Sequence, residues 1–306
     1  MGGVLWQLRC LSIVFYRCKL RENGARKMAG GDEGFSVVLE VWVVLRREEV
    51  RGRESGGGVV YTRVGTTKMK KRRLGLWLKS MRSMGESEVV LLGWPLSMFG
   101  ARVKIALAEK GVKYEYKEEV FLHNKSPLLL KCNPIHKKIP VLIHKGRSVC
   151  ESKIIVEYID ESWKGESPLL PSDPYLRSQA RFWADYIDKV IYTVAMKFNS
   201  GPKGEEMEKA RHECLGYLNV LEGELGDKPY FLGNAFGYVD IALMSYYNHF
   251  FTYESLGGFS LKIDSPKLFA WATRCMKRES VSKSLPDPQK IYDYTIVYRK
   301  NIGVED

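Results

Sequence analysis

The sequence predicts an α/β domain followed by an all-helical domain, behind a basic leading segment. Three observations carry this. The excess positive charge sits at one end of the chain. Residues 89–161 alternate apolar β-prone and helical segments in the order β-α-β-α-β-β-α, and long segments of helical period follow a Pro-rich link. A length of 306 residues suggests two domains, and 45% hydrophobic, 12% aromatic and 27% charged residues exclude a collagenous, disulfide-scaffold or wholly disordered chain.

The net charge of +12 would point to nucleic acid or an anionic surface if it were spread evenly. It is not. Residues 1–83 hold 18 Lys/Arg and 7 Asp/Glu, whereas residues 84–306 hold 30 and 29. All 12 prolines and all 5 histidines fall in the second piece, so the boundary lies near Met84. Residues 1–83 are expected to be a basic, disordered extension. Their most structured stretch, Phe35–Leu45, is β-prone and too short to span a membrane; it runs into the charged stretch Arg46–Arg53 and the Gly56–Gly58 run. Arg9 and Arg17 interrupt any secretory signal, and Trp6 stands where a myristoylation motif needs Ser or Thr. The cluster from Lys68 to Arg73 reads as a nuclear address, an anionic-surface patch or a solvated charge run. The composition break also fits an over-extended gene model with Met81 or Met84 as the start.

From Val89 the elements follow in order. Val89–Gly93 reads as a buried strand and Arg102–Lys110 as a helix stopped by Gly111. Val112–Glu118 is a strand, Asn124–Pro127 a loop and Leu128–Cys132 a short helix. Ile139–Ile143 and Ser148–Cys150 pair around the turn Lys145-Gly146, and Glu151–Glu161 is a helix with Glu151 and Ser152 at its start. The order is thioredoxin-like, and Ile139-Pro140 stands where that fold places a cis proline. Asp160–Pro174 is the link. Helices are expected over Tyr175–Lys197, Glu205–Leu225, Tyr238–Phe251, Pro266–Lys277 and Pro288–Arg299. Read alone, Ser97 is a helix N-cap, Lys125 and Lys138 are surface lysines, Ile139 is a core residue and Glu151-Ser152 is a helix start.

The strings Val89–Gly111 (VVLLGWPLSMFGARVKIALAEKG), Asn124–Pro127, Asn133–Ile143, Cys150–Ser152 and Tyr158–Glu161 closely resemble the plant tau class of glutathione transferases, from about Met84 to the C-terminus. The resemblance implies a glutathione-binding thioredoxin-like domain (84–163), then an all-helical domain (174–306) that contributes a hydrophobic substrate site, in a homodimer. It implies attack of the glutathione thiolate on hydrophobic electrophiles, with glutathione as co-substrate and no other cofactor. Ser97 would donate a hydrogen bond to the thiolate. Lys125 and Lys138 would meet the glycyl carboxylate, Ile139 the cysteinyl backbone, and Glu151 and Ser152 the γ-glutamyl end. Phe99, Tyr192 and Met196 are positioned for the electrophile pocket, although aromatic residues at helical spacing also read as core. Pro140 and Asp240 are structural, with Gly237 replacing the usual Ser/Thr partner of the Asp240 capping box, which leaves half of it. Two departures stand out: Leu96 intervenes between Pro95 and Ser97, and an extra residue lies near Phe121.

Other chemistry lacks its residues. Cys10, Cys18, Cys132, Cys150, Cys214 and Cys275 form no CxxC, no HExxH or P-loop occurs, and no metal site is expected. Serine rather than cysteine at 97 separates the chain from the thiol-transferring classes. The expected enzyme is cytosolic and conjugates glutathione for detoxification, with glutathione-dependent peroxide reduction as an added activity. The alternatives are a non-catalytic carrier of hydrophobic small molecules and, through residues 68–73, a nuclear or nucleic-acid-associated role.

Overall fold

A computed structural model describes residues 36–45, 60–70, 88–120, 124–165 and 168–304. Cys10, Cys18, Arg46–Arg53, Gly56–Gly58, Lys71–Arg73, Met81, Met84 and Phe121 lie outside them. The chain divides into two compact units, Met1–Glu86 and Ser87–Asp306. In the first, β1 (Ser36–Leu45) pairs antiparallel with β2 (Val60–Lys70), from Ser36 against Lys70 to Leu45 against Val60.

The second unit opens with β3 (Val89–Gly93), α1 (Met98–Glu109), β4 (Glu115–Glu118), α2 (Pro127–Cys132), β5 (Val141–His144), β6 (Arg147–Cys150) and α3 (Ser152–Ser162). The sheet order is β4-β3-β5-β6, with β4 parallel to β3 and the other pairs antiparallel. β3 is apolar throughout because both of its faces are covered. Val89 and Leu91 pack with Val103, Ile105 and Leu107 of α1 and Ile155 and Ile159 of α3, whereas Val90 and Leu92 pack with Leu129 of α2. Helix α1 starts earlier than Arg102 because the Ser97 side chain caps it, and the strand expected from Val112 begins only at Glu115.

The link is shorter than the sequence suggests, since α3 runs on to Ser162. The Asp160 carboxylate holds its far side, accepting from the backbone N–H groups of Leu169 and Leu170 at 2.9 and 3.0 Å. The helical part follows: α4 (Pro174–Ser200), α5 (Glu205–Leu225), α6 (Tyr238–Met244), a 3-10 turn (Tyr247–His249), α7 (Phe250–Gly257), α8 (Leu261–Asp264), α9 (Pro266–Met276), α10 (Glu279–Ser282) and α11 (Pro288–Asn301). The single helix expected over Tyr238–Phe251 is broken by the 3-10 turn, and α8 and α10 are too short to carry a readable period. α4 buries Ala180, Ala184, Ile187, Ile191, Val194, Ala195 and Phe198, a stripe of helical spacing that makes it the spine of this part.

Asp240 is fully buried in α6 and accepts from the backbone N–H of Gly237 at 2.9 Å, that of Phe231 at 3.1 Å and the Trp271 indole at 2.8 Å. Gly237 contributes no side-chain oxygen, so only the Asp240 half of a capping box exists. A Cβ at Gly237 would lie 2.8 Å from the Leu169 carbonyl oxygen, which also accepts from Tyr238 N–H at 2.8 Å, so serine does not fit without a backbone shift. Burial pushes the Asp240 carboxyl up to about 6 against these three donors. Asp240→Ala, which strands three buried N–H groups, is expected to cost about 2–3 kcal/mol in urea denaturation; a loss below about 0.5 kcal/mol would contradict that role.

Candidate active site

The topology gathers the candidate residues at one end of the sheet. Gly93, at the end of β3, pairs with Glu118 at the end of β4; Leu92 pairs with Val141 at the start of β5; and Val141 pairs with Cys150 at the end of β6. The segments carrying Lys125, Ser97, Lys138–Pro140 and Glu151-Ser152 therefore leave or enter the sheet side by side, in that order. Neighbouring strands are about 4.8 Å apart, so the step from β3 to β6 is about 10 Å. That is the length of roughly three extended residues.

Ser97 is 7% exposed, ahead of α1. Its Oγ accepts from Gly100 N–H at 3.1 Å, and its own N–H donates to the Trp94 carbonyl at 3.0 Å. An accepting bond leaves the hydroxyl hydrogen to be donated outward. No acidic residue occupies the first turn of α1, so the positive end of this 12-residue helix is not quenched there. Trp94 packs edge-on against Tyr294 of α11 at 4.8 Å, and His249 contacts the Leu96 carbonyl at 3.1 Å.

At the other end, Glu151 precedes α3 with φ +68°, and no side chain caps that helix. A left-handed conformation in a residue other than glycine is sparsely populated and concentrates at functional sites. Glu151 is exposed, with Oε1 2.7 Å from His136 Nδ1. Ser152 is buried beside it, and its Oγ accepts from Arg102 Nη1 at 3.0 Å. Arg102, 1% exposed, also donates to Asp188 at 3.1 and 2.6 Å and to the Ala242 carbonyl at 3.3 Å. Tyr246 adds its hydroxyl to Asp188 at 3.2 Å. One guanidinium thus ties α1, α3, α4 and α6 together.

The two lysines sit on braced loops. Lys125 is half-buried; its neighbour Ser126 donates to Glu119 from N–H at 3.2 Å and from its hydroxyl at 2.5 Å. Lys138 is exposed, and its carbonyl accepts from Asn133 Nδ2 at 2.9 Å. The Ile139–Pro140 bond that follows is cis. The buried Glu119 and Asn133 were not singled out in the sequence, where nothing marks them as loop braces.

Phe99 and Tyr192 come together, with ring centroids 5.7 Å apart, and Tyr246 closes on Phe99 at 6.3 Å. Met196 lies one helical turn beyond Tyr192 and lines an open cavity of about 240 Å³ with Lys197, Ser200, Gly201 and Glu206. Cys132 and Cys150 are half-buried, Cys214 and Cys275 are buried, and all four are free thiols.

Burial pulls the His249 imidazole down to about 4, so it is neutral near pH 7. The unfolded chain takes up its proton near pH 6.5 and the folded chain does so only near pH 4, so this residue's contribution to stability falls as pH falls through that window. Asp240 acts in the opposite sense between about pH 4 and 6, so the comparison needs a variant that leaves it unchanged. His249→Gln is expected to lose less stability than the parent between pH 7 and 4, by roughly 3 kcal/mol. Urea midpoints at the two pH values check it; equal losses would refute it.

An α/β sheet whose one end collects a helix-capping serine, a cis-proline strand start and an uncapped helix N-terminus, joined to a helical part, defines a thioredoxin-like domain with an appended helical domain. The family models "Glutathione S-transferase, N-terminal domain" and "Glutathione S-transferase, C-terminal domain" match residues 87–161 and 182–279. The probable glutathione S-transferase parC of Nicotiana tabacum is 59% identical over 224 residues, 72% of this chain and 100% of its own. Glutathione S-transferase U19 of Arabidopsis thaliana is 58% identical over 220 residues, 72% of this chain and 99% of its own. Among solved structures, rice GST1 in complex with glutathione has TM-score 0.68 and 45% identity, over 72% of this chain and all of that one. The tau-class enzyme from mango (Mangifera indica) has TM-score 0.66 and 38% identity, over 70% and 100%. The chain belongs to the glutathione S-transferase family, in its plant tau class. It is a transferase with glutathione as co-substrate.

Proposed function

We propose that glutathione lies along the end of the sheet and that Ser97 donates a hydrogen bond to its thiolate, which attacks the electrophilic carbon of a hydrophobic substrate. The observation that carries this is the state of the Ser97 hydroxyl: its oxygen is occupied by Gly100 N–H, so its hydrogen is available to an anion at the unquenched end of α1. A free thiol titrates near 8.5 and is only a few per cent ionised at neutral pH. A hydroxyl donor and a helix N-terminus both favour the ionised form. Ser97 is thus a donor and not a nucleophile, and it needs no adjacent base.

The rest of the tripeptide fits the same edge. The step from β3 to β6 is spanned by the stretch from its cysteinyl sulfur to its γ-glutamyl end. The uncapped N-terminus of α3 and the Ser152 hydroxyl suit the γ-glutamyl α-carboxylate, and Glu151 suits its α-ammonium group. Ile139 would offer backbone groups to the cysteinyl residue in strand-like fashion, while Lys125 and Lys138 would meet the glycyl carboxylate. Phe99 and Tyr192 form one wall of the electrophile site, and Met196 extends it toward the open cavity. Residues 84–163 then serve as the glutathione-binding domain and 174–306 as the domain completing the electrophile site.

The active form is a cytosolic homodimer, a reading supported by the aromatic surface of α4, where the 56% exposed Phe182 lies 5.2 Å from Trp183. No helix among the described residues is long and apolar enough to cross a membrane. The full chain, given glutathione and a chlorodinitrobenzene, is expected to form the thioether, followed by its absorbance. Saturable binding of hydrophobic dyes without product would instead favour the carrier reading.

A further inference from the structure

We infer that His249, in the helical part, is a positioning residue for the thiolate-binding serine, acting through the carbonyl of Leu96; this rests on the Ser97 reading above. The two residues are 153 positions apart in the chain, yet His249 Nε2 lies 3.1 Å from the Leu96 oxygen. A carbonyl only accepts, so Nε2 carries the hydrogen and donates it. The imidazole is 4% exposed, and Nδ1 has no hydrogen-bond partner among the described residues. Its neighbour Tyr253, tilted against the imidazole with centroids 6.4 Å apart, likewise leaves its hydroxyl unpartnered. Burying a ring with one nitrogen unmatched is unfavourable, and an apolar side chain would fill the position at lower free energy. Among the described residues, the bond to Leu96 is the one interaction of this ring that an apolar side chain could not make.

That bond acts at a decisive place. The peptide unit between Leu96 and Ser97 is held from both sides: its carbonyl accepts from His249, and its N–H donates to the Trp94 carbonyl at 3.0 Å. With the plane of that peptide fixed and Ser97 at φ −77° by its cap geometry, the direction of the Ser97 Cα–Cβ bond is set before any ligand arrives. Tyr294 of α11 braces the same turn through the Trp94 ring. Leu96 is the residue that separates Pro95 from Ser97. The helical part therefore supplies a hydrogen bond that steadies this turn. An error of about 1 Å in aiming a catalytic group is enough to cost a large factor in rate.

The test compares His249→Leu, which removes the donor, with His249→Gln, whose amide keeps an N–H at similar reach, in the full-length protein. Three quantities are read: kcat and KM for conjugation of an aryl halide, and the titration of bound glutathione by thiolate absorbance. His249→Leu is expected to lower kcat about tenfold and raise the bound thiol pKa by about one unit, with KM for glutathione changed less than twofold. His249→Gln is expected to stay within about threefold of the parent. Unchanged kcat and thiol titration in His249→Leu, or equal losses in Leu and Gln, would overturn the inference. Where His249→Leu does not fold, His249→Asn, whose amide is one bond shorter, serves as the arm without the contact. Ser97→Ala is run alongside. If it leaves the thiol titration unchanged, the Ser97 reading itself fails; if it shifts the titration and His249→Leu does not, only the His249 inference fails.

Discussion

Ser97→Ala is expected to lower kcat/KM for conjugation by about 10- to 150-fold while leaving glutathione affinity within a few-fold. The magnitude follows from one hydrogen bond to an ion, about 1.5–3 kcal/mol, at about 1.4 kcal/mol per tenfold in rate. Affinity is spared because the contacts assigned to the γ-glutamyl and glycyl ends lie elsewhere along the sheet edge. Ser97 also caps α1 through Gly100 N–H, so part of any loss could arise from a loosened helix end; cap removal typically costs about 1 kcal/mol. Ser97→Thr separates the two, since it keeps both the cap oxygen and the donor. Recovery of folding stability in Thr without recovery of turnover would assign the Ala effect to the orientation of the hydroxyl. Turnover unchanged in Ala would remove Ser97 from the chemistry.

Asp188→Ala is expected to destabilise the protein by about 3–5 kcal/mol, because it leaves the Arg102 guanidinium buried without its counterion. At 1% exposure Arg102 cannot recover the lost interaction from water, and its remaining acceptors are the neutral Ser152 hydroxyl and Ala242 carbonyl. For a folded unit of this size such a loss lowers the melting temperature by about 10 °C. The double variant Arg102→Met with Asp188→Leu, which removes both charges at similar volume, is expected to be far less harmful. Glutathione affinity is expected to fall in Asp188→Ala through Ser152, whose hydroxyl oxygen is held by Arg102. A change under about 1 kcal/mol would show that water reaches the guanidinium after all.

The local elements were largely legible because burial writes itself into periodicity. β3 is covered on both faces and reads as an unbroken apolar run, and the α4 stripe reads at helical spacing from Ala180 to Phe198. The start of α1 is set by the Ser97 cap, and Met98 and Phe99 behind it are only partly buried, so the apolar spacing reads from a later residue. The break after Met244 was hidden since α6 is buried on all sides, which leaves no pattern to interrupt. The candidate site was legible only where its residues stand in contiguous strings. Arg102, Asp188, Glu119, Asn133 and His249 act across gaps of 5 to 153 residues, and a single polar residue carries no sign in the sequence of the partner it meets in the fold. The +12 charge is informative in the opposite way: it describes residues 1–83, whereas the residues assigned to chemistry all lie beyond Met84.

The most direct test of the central claim is the thiol pKa of glutathione bound to the full-length protein, read from thiolate absorbance across pH in the parent and in Ser97→Ala. The account predicts a pKa well below the free value of about 8.5 in the parent and a rise of one to two units in the variant, equivalent to about 1.5–3 kcal/mol. A bound thiol that titrates like free glutathione in the parent, or identically in both proteins, would contradict it.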